Sequence, residues 1–327
     1  RQRPLGEFLH QLGGHARLTM QRGTLIFPGV FDEPIVPVQR VGGRIEWTRR
    51  AASGGAGPQV EVALQDFGFV NDDVEGTLNG RWRTGPGDGF GVGQRFPGTI
   101  ELSGRIARGQ AGRVARYLPT GVPASARGYV AAAVQSGRLS AGQFEVKGDL
   151  WHFPFVEPGT GTFRVQARAD NVVLAYVPNA PGFVSPWPAM TGVSGELEFD
   201  RAAMRIRQAS ATLQGLQLRN VRGGIADMAT EGVLRMEGQA RGGLAEMLRF
   251  VEATPVGGWL AGALRETTGS GAADLTLALQ IPLDDLPRAT VRGALQLAGN
   301  DVRVMPGTPL LADARGRRAR RPPRACC

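Results

Sequence analysis

The stretch Asp274-Leu275-Thr276-Leu277-Ala278-Leu279-Gln280-Ile281 places leucine or isoleucine at every second position and a polar or small residue between them. Side chains of a strand point to opposite faces with period two, so this reads as a strand with one apolar and one wet face. The pattern recurs upstream. Phe144 and Val146 interleave with Gln143, Glu145 and Lys147, and Phe163, Val165 and Ala167 interleave with Arg164, Gln166 and Arg168. Shorter runs lie at Val60–Leu64, Ile100–Leu102, Leu197–Phe199, Met204–Ile206 and Leu295–Leu297. The fold class that follows is mainly β: a long, twisted antiparallel sheet curled into an apolar groove, with a few short helical insertions.

The joints between these runs are Gly-, Pro- and Asn/Asp-rich turns such as Asn71-Asp72-Asp73, Asn79-Gly80 and Gly299-Asn300-Asp301. Their spacing is irregular, which argues against a propeller or a short-coil β-helix. It also argues against an outer-membrane barrel, which needs a regular rhythm and aromatic girdles, whereas the chain has only 3 tyrosines. Two glycine-rich loops, Ser53–Pro58 and Gly85–Gly93, read as flexible surface excursions. Helical insertions are expected at Gly109–Leu118, stopped by Pro119, and from Leu244 to Leu264. In the second, Leu244, Met247, Leu248 and Val251 form an i, i+3, i+4, i+7 stripe, and Pro255 ends or kinks it. Its apolar side packs on the sheet or serves as a lid.

The chain of 327 residues carries a formal charge of +9, but six arginines fall within its last thirteen residues, so the remainder carries +9 − 6 = +3. Elsewhere arginines alternate with acids on strand faces, without the basic stripe that nucleic-acid binding requires. From Arg315 the alternation collapses, which separates residues 1–314, a continuous elongated β-groove, from a basic tail at 315–327 that is expected to be disordered and to touch nothing. The tail is either a surface for anionic headgroups or an out-of-frame ending. Cys326 and Cys327 are adjacent and have no partner elsewhere, so no disulfide framework follows. The chain opens at Arg1 without a signal peptide or membrane span, which reads as an interior fragment.

Catalytic, metal and cofactor sites are not legible. His10 and His15 are five apart, on different sides of a helix or a strand, and His152 stands in the aromatic cluster Trp151-His152-Phe153-Pro154-Phe155. The pairs Asp72-Asp73 and Asp284-Asp285 flank turns, where aspartate serves backbone hydrogen bonding. Gly192-Val193-Ser194-Gly195 lacks the spacing of a nucleophile elbow. Gly85–Gly93 matches neither dinucleotide nor P-loop patterns. No enzyme and no cofactor are expected.

A succession of landmarks adds to this. Ala115-Arg116-Tyr117-Leu118-Pro119 leads to Val122-Pro123-Ala124-Ser125, Ser136-Gly137-Arg138-Leu139 and Lys147-Gly148-Asp149-Leu150-Trp151-His152-Phe153-Pro154-Phe155. Trp187-Pro188, Gly195-Glu196-Leu197-Glu198-Phe199, Thr254-Pro255-Val256, Leu279-Gln280-Ile281-Pro282-Leu283 and Met305-Pro306-Gly307-Thr308-Pro309-Leu310-Leu311 follow. From about Leu12 to Gly316 this order resembles the middle of the YhdP proteins, AsmA-like members of the bridge-like lipid-transfer proteins of Gram-negative bacteria. The resemblance implies a periplasmic body held by an inner-membrane anchor, passing phospholipids to the outer membrane along an apolar β-groove. The alternative is an envelope scaffold without lipid cargo, its apolar face packed in a sandwich.

Each acyl CH₂ taken from water is worth about 0.8 kcal/mol, so a carrier must offer a continuous apolar surface. About fifteen strands at ~4.8 Å spacing would give a track of roughly 70 Å. Its expected lining is Phe144, Val146, Phe163, Val165, Leu197, Phe199, Leu275, Leu277 and Leu279, with Lys147, Arg164 and Arg168 on the outside.

Overall fold

The computed structural model describes residues 13–50, 57–230, 232–285 and 288–320. The strands are β1 (Gly13–Ile26), β2 (Ile35–Arg50), β3 (Gln59–Val70), β4 (Val74–Arg83), β5 (Thr99–Gln110), β6 (Val134–Asp149), β7 (Gly161–Leu174) and β8 (Met190–Asp200). They continue as β9 (Ala203–Leu213), β10 (Leu216–Ile225), β11 (Val233–Gly243), β12 (Thr268–Gly269), β13 (Ala272–Pro282), β14 (Thr290–Arg303) and β15 (Leu311–Arg320). Consecutive strands pair from β1 to β11, then β13 and β14, with β12 and β15 both on β14. The sheet is open and does not close into a barrel. Packing divides the chain into two units, which share strands β6 to β8. The first holds residues 1–127, 139–167 and 198–202, and the second holds 128–138, 168–197 and 203–327.

Most strands are longer than any alternating run in the sequence, and β-bulges explain why. In β3 the apolar positions run Val60, Val62, Leu64 and then switch phase to Phe67 and Phe69. Between them Asp66 adopts φ +49°, and the register with both neighbours shifts there. In β9 and β10 the switch falls at Gln208 (φ +50°) and Asn220 (φ +52°), again beside register shifts. An extra residue in the left-handed region restores the facing of the side chains after it, at the cost of local strain and added twist. Strands β3, β9 and β10 are thus each two short alternations joined out of phase.

The buried apolar side chains gather in two clusters. In the second unit, α2 (Leu244–Ala253) sets Leu244 and Met247 on Leu216 and Ala273, with Leu275, Leu295 and Leu297 packed around them. The expected apolar stripe of this helix therefore lies on the sheet. Thr254 closes α2 by donating its hydroxyl to the Phe250 carbonyl at 2.8 Å, and a single turn, α3 (Val256–Trp259), follows Pro255. In the first unit Val36, Val38 and Val41 are covered by Phe31, Phe67, Phe69 and Tyr117.

Tyr117 arrives there on a strap. The insertion expected at Gly109–Leu118 is a 3-10 turn over Ala111–Tyr117, and a further helix that the sequence did not announce, α1 (Ala124–Ala133), follows it. Its five alanines favour helix, and Pro123 just ahead of it suits a helix start. Between the two, the chain docks on the β1–β2 connection. The Thr120 N–H and hydroxyl donate to Val30 O (2.9 Å) and Gly29 O (2.7 Å). Arg127 grips both Asp32 oxygens at 2.7 and 2.9 Å.

Two expectations change. The tail was expected to be disordered and free of contacts from Arg315, yet β15 runs to Arg320 and pairs with β14, Arg315 opposite Ala298 and Gly316 opposite Leu297. Backbone pairing needs no apolar alternation, which is why the arginine-rich stretch concealed it. Residues 321–327 lie outside the described residues. Gly85–Gly93 belongs to a built loop, with hydrogen bonds from Gly85 N to Arg95 O (3.0 Å) and Phe96 N to Gly89 O (3.0 Å). Residues 53–56 of the other glycine-rich loop, and His10, lie outside the described residues.

All three tyrosines are held above their ordinary ionisation range, chiefly by burial, with Tyr176 pushed up to about 12. An unfolded chain would ionise them first, near 10. Their contribution to folding is full below that pH and is lost as pH rises through their raised folded-state values, about 12 for Tyr176. Tyrosinate absorbance of the native protein at pH 10 should accordingly report less than half ionisation, rising to the full value once denaturant is added. Half or more ionisation in the native protein would contradict this burial.

Candidate functional site

Directly opposite residues of an antiparallel pair share a face, so the registers trace apolar rows across the strands. In the first unit Trp47, Val62, Trp82 and Ile100 stand side by side over β2–β5, followed by Ile45, Leu64, Gly80 and Leu102. A further row is Met20, Val41, Phe69, Gly76 and Ile106. Glycines stand where large side chains lie across the sheet. A Cβ at Gly14 would come within 2.6 Å of the Trp47 ring, and one at Gly80 within 2.8 Å of Leu102. An open depression of about 840 Å³ borders this face, lined by Val41, Phe69 and Ile106 together with Arg40, Glu75 and Arg105.

The second unit repeats the arrangement. Ile206, Gly223, Met236, Leu279 and Val291 form one row, and Ala211, Leu218, Ala240, Leu275 and Leu295 another. Leu277 stands between Gly238 and Gly293. The other face of each unit is charged and stitched by cross-strand ion pairs. Arg81–Glu61 (3.4 Å), Lys147–Glu101 (3.2 Å) and Arg164–Asp200 (3.3 Å) lie in the first, and Arg222–Glu237 (2.9 Å) and Arg241–Asp274 (3.8 Å) in the second. Exposed pairs of this kind contribute at most about 1 kcal/mol each, so they mark the wet face more than they hold it.

Away from the two clusters most of the apolar rows are half-buried, Trp47, Ala211 and Ala240 being buried. Ile45, Leu64, Leu102, Leu277 and Leu279 all remain partly open to solvent. A soluble protein seldom leaves a contiguous apolar patch beyond a few hundred Å² without a use for it.

The nine residues expected to line the track fall on β6, β7, β8 and β13, and every one is half-buried, while Lys147, Arg164 and Arg168 are exposed. Phe144 lies over Gly104, and Phe163 meets the Phe153 ring edge-on at 5.1 Å. Leu275 packs against the α2 cluster, whereas Leu277 and Leu279 do not belong to it. The rows of β1–β5, with Trp47, Trp82, Phe67 and Phe69, were not singled out beforehand. Part of their signal was read as the runs Val60–Leu64 and Ile100–Leu102, whereas in β3 the bulge at Asp66 hid the continuation to Phe67 and Phe69.

Among the described residues no group of three His, Cys, Asp or Glu is placed to hold a metal. Asp73 forms part of a buried network with Arg116, Tyr117 and Asn71 that fastens the strap, so it does more than shape a turn. Asp227 is held below its usual range by the Thr230 hydroxyl in a surface turn. No helix of the described residues is long and apolar enough to cross a membrane.

No solved structure matches this chain. It is similar to the intermembrane phospholipid transporter YhdP of Escherichia coli strain K12, with 24% identity over 189 residues, 58% of this chain and 14% of that protein. The chain thus spans far less than two thirds of that relative's length. The match to the YhdP protein family covers residues 4–317, nearly end to end, and the chain belongs to that family.

Proposed function

We propose that this chain carries lipid, without catalysis, by holding acyl chains against the uncovered apolar rows of its sheet. The observation that carries the reading is the asymmetry of each unit: registered apolar rows left half-open on one face, ion-paired charge on the other. An acyl chain laid over such rows recovers about 0.8 kcal/mol for each CH₂ removed from water. No gap in the rows would strand it, because the glycines are roofed by neighbouring side chains. The E. coli relative is named an intermembrane phospholipid transporter. By that likeness the cargo here is phospholipid, and the site of action is the periplasm, between inner and outer membranes, within a protein anchored in the inner membrane. Residues 1–314 then form one stretch of a continuous groove, lined in part by the nine residues named above.

The test is detergent-free purification followed by organic extraction and lipid mass spectrometry. Phospholipid recovered in near-stoichiometric amount supports a carrier. A folded protein that emerges free of lipid, and takes none from vesicles, supports the envelope scaffold instead.

A further inference from the structure

The two ends of the strands in the first unit differ in how their arginines are paired. At the strap end four arginines are matched by acids, while Arg40, exposed and opposite Val70, makes no ion pair among the described residues. Arg108, Arg113, Arg116 and Arg127 pair with Glu75, Asp73, Glu33 and Asp32 at 2.7–3.3 Å. At the other end, Arg49, Arg50, Arg83 and Arg95 make no ion pair among the described residues. Arg83 finds only the Thr99 hydroxyl, at 2.8 Å. The acid among them is Asp88, whose carboxylate accepts the Gly57 N–H. Glu61 nearby is engaged by Arg81. In the next connection Asp149 is turned to the Trp151 N–H at 3.0 Å, and Glu157 is exposed.

Two of these arginines stand at the border of the apolar face. Arg49 is half-buried, on the same face as Trp47 two residues away, and opposite Val60. Arg95 lies over the Phe96 ring at 5.7 Å, with its guanidinium against Gly57 of the β2–β3 connection. Phe96 in turn stacks on Trp82 at 6.2 Å, and the exposed Phe90 meets Trp151 at 5.7 Å. Aromatic rings mixed with arginine at an apolar edge are what a boundary between hydrocarbon and water selects.

The dimensions agree. From Gly76 to Trp82 along β4 is six residue steps, about 20 Å at strand rise. One leaflet of bilayer hydrocarbon is about 15 Å deep.

We propose that this end is a headgroup rim: Arg49 and Arg95 bind the phosphate of a glycerophospholipid whose acyl chains lie along the strands toward the strap. The guanidinium fork matches phosphate oxygens, and neither arginine must break an ion pair among the described residues to do so, although Asp88 stands beside Arg95 at Gly57. The strap end offers apolar cover at Tyr117 and Phe31, and its unpaired Arg40, next in the chain to the buried Val41, points to the opposite, wet face. The lipid is therefore held in one orientation, headgroup at the β4–β5 loop. This assignment rests on the carrier reading above.

The test offers the purified chain mixed vesicles of phosphatidylglycerol and diacylglycerol with identical chains. The wild type should take phosphatidylglycerol preferentially by about thirtyfold, the scale of two arginines near an anionic surface. Arg49→Gln with Arg95→Gln should bring the ratio close to unity while total lipid per protein stays within about twofold. Arg17→Gln with Arg44→Gln, a pair that faces each other on the wet side, should leave the ratio unchanged. An unchanged ratio in the first variant, or an equal fall in both, overturns the rim. Competition by excess inorganic phosphate alone would make it a free-phosphate site and overturn the lipid assignment. A folded wild type that takes neither lipid overturns the carrier reading itself.

Discussion

Leu277→Glu should leave the protein folded and cut the phospholipid recovered with it by about tenfold or more. The position is chosen on geometry. Leu277 stands between Gly238 and Gly293, so a glutamate there has room and does not overpack a neighbour. It is half-buried and outside the cluster that α2 seals, so no fully buried contact is lost. Without lipid the carboxylate can reach water. Under an acyl chain it cannot, and an unpaired charge cut off from water costs several kcal/mol, far more than a few CH₂ contacts return. Thr276→Glu places the same charge one residue away on the wet face, where Thr276 is exposed, and should cost little lipid. Val165→Glu against Arg164→Glu repeats the comparison on β7. Equal losses from both faces, with circular dichroism unchanged, would mean that lipid does not ride on the apolar rows.

Much of this architecture was legible because period-two alternation is local chemistry: Asp274–Ile281 and Phe163–Arg168 need no partner to be read as strands. Strand length was not legible. Asp66, Gln208 and Asn220 are ordinary surface residues by composition, and nothing in a single sequence announces that each adopts positive φ and shifts the alternation by one. The apolar rows of β1–β5, read in advance only as the runs Val60–Leu64 and Ile100–Leu102, emerge in full from the register. α2 was legible from its stripe, whereas α1 has a weak apolar side and rests on alanine content. The strap was invisible because its bonds join residues far apart in sequence, Arg127 to Asp32 and Tyr117 to Asp73. The pairing of Arg315–Arg320 with β14 was missed because backbone hydrogen bonds leave no mark in side-chain pattern.

Asp73→Ala should release that strap, at a cost of about 3 kcal/mol in the first unit. Asp73 is only 9% exposed and gathers Arg113 (3.3 Å), Arg116 (3.2 Å) and the Tyr117 hydroxyl (3.0 Å). Removing one member of a largely buried charged network leaves the others desolvated without compensation, which is where large single-residue losses arise. Arg116 keeps Glu33 and the Ile35 carbonyl, and Tyr117 keeps Asn71, so the loss should fall short of complete unfolding. Tyr117 would then hold Val36, Val38 and Val41 less firmly, and amide exchange should accelerate first along residues 111–120 and 27–38. The ionisation of Tyr117 should also move down, since its hydrogen bond to Asp73 and that residue's charge both raise it beyond the effect of burial. Asp72→Ala, one residue away and exposed, is the reference and should change stability by no more than about 0.5 kcal/mol. Equal losses in the two variants by denaturant unfolding, or exchange that accelerates elsewhere before the strap, would show that Asp73 does not fasten it. If the strap walls the apolar face as its position implies, the released variant should still bind lipid but exchange it with vesicles faster than the parent.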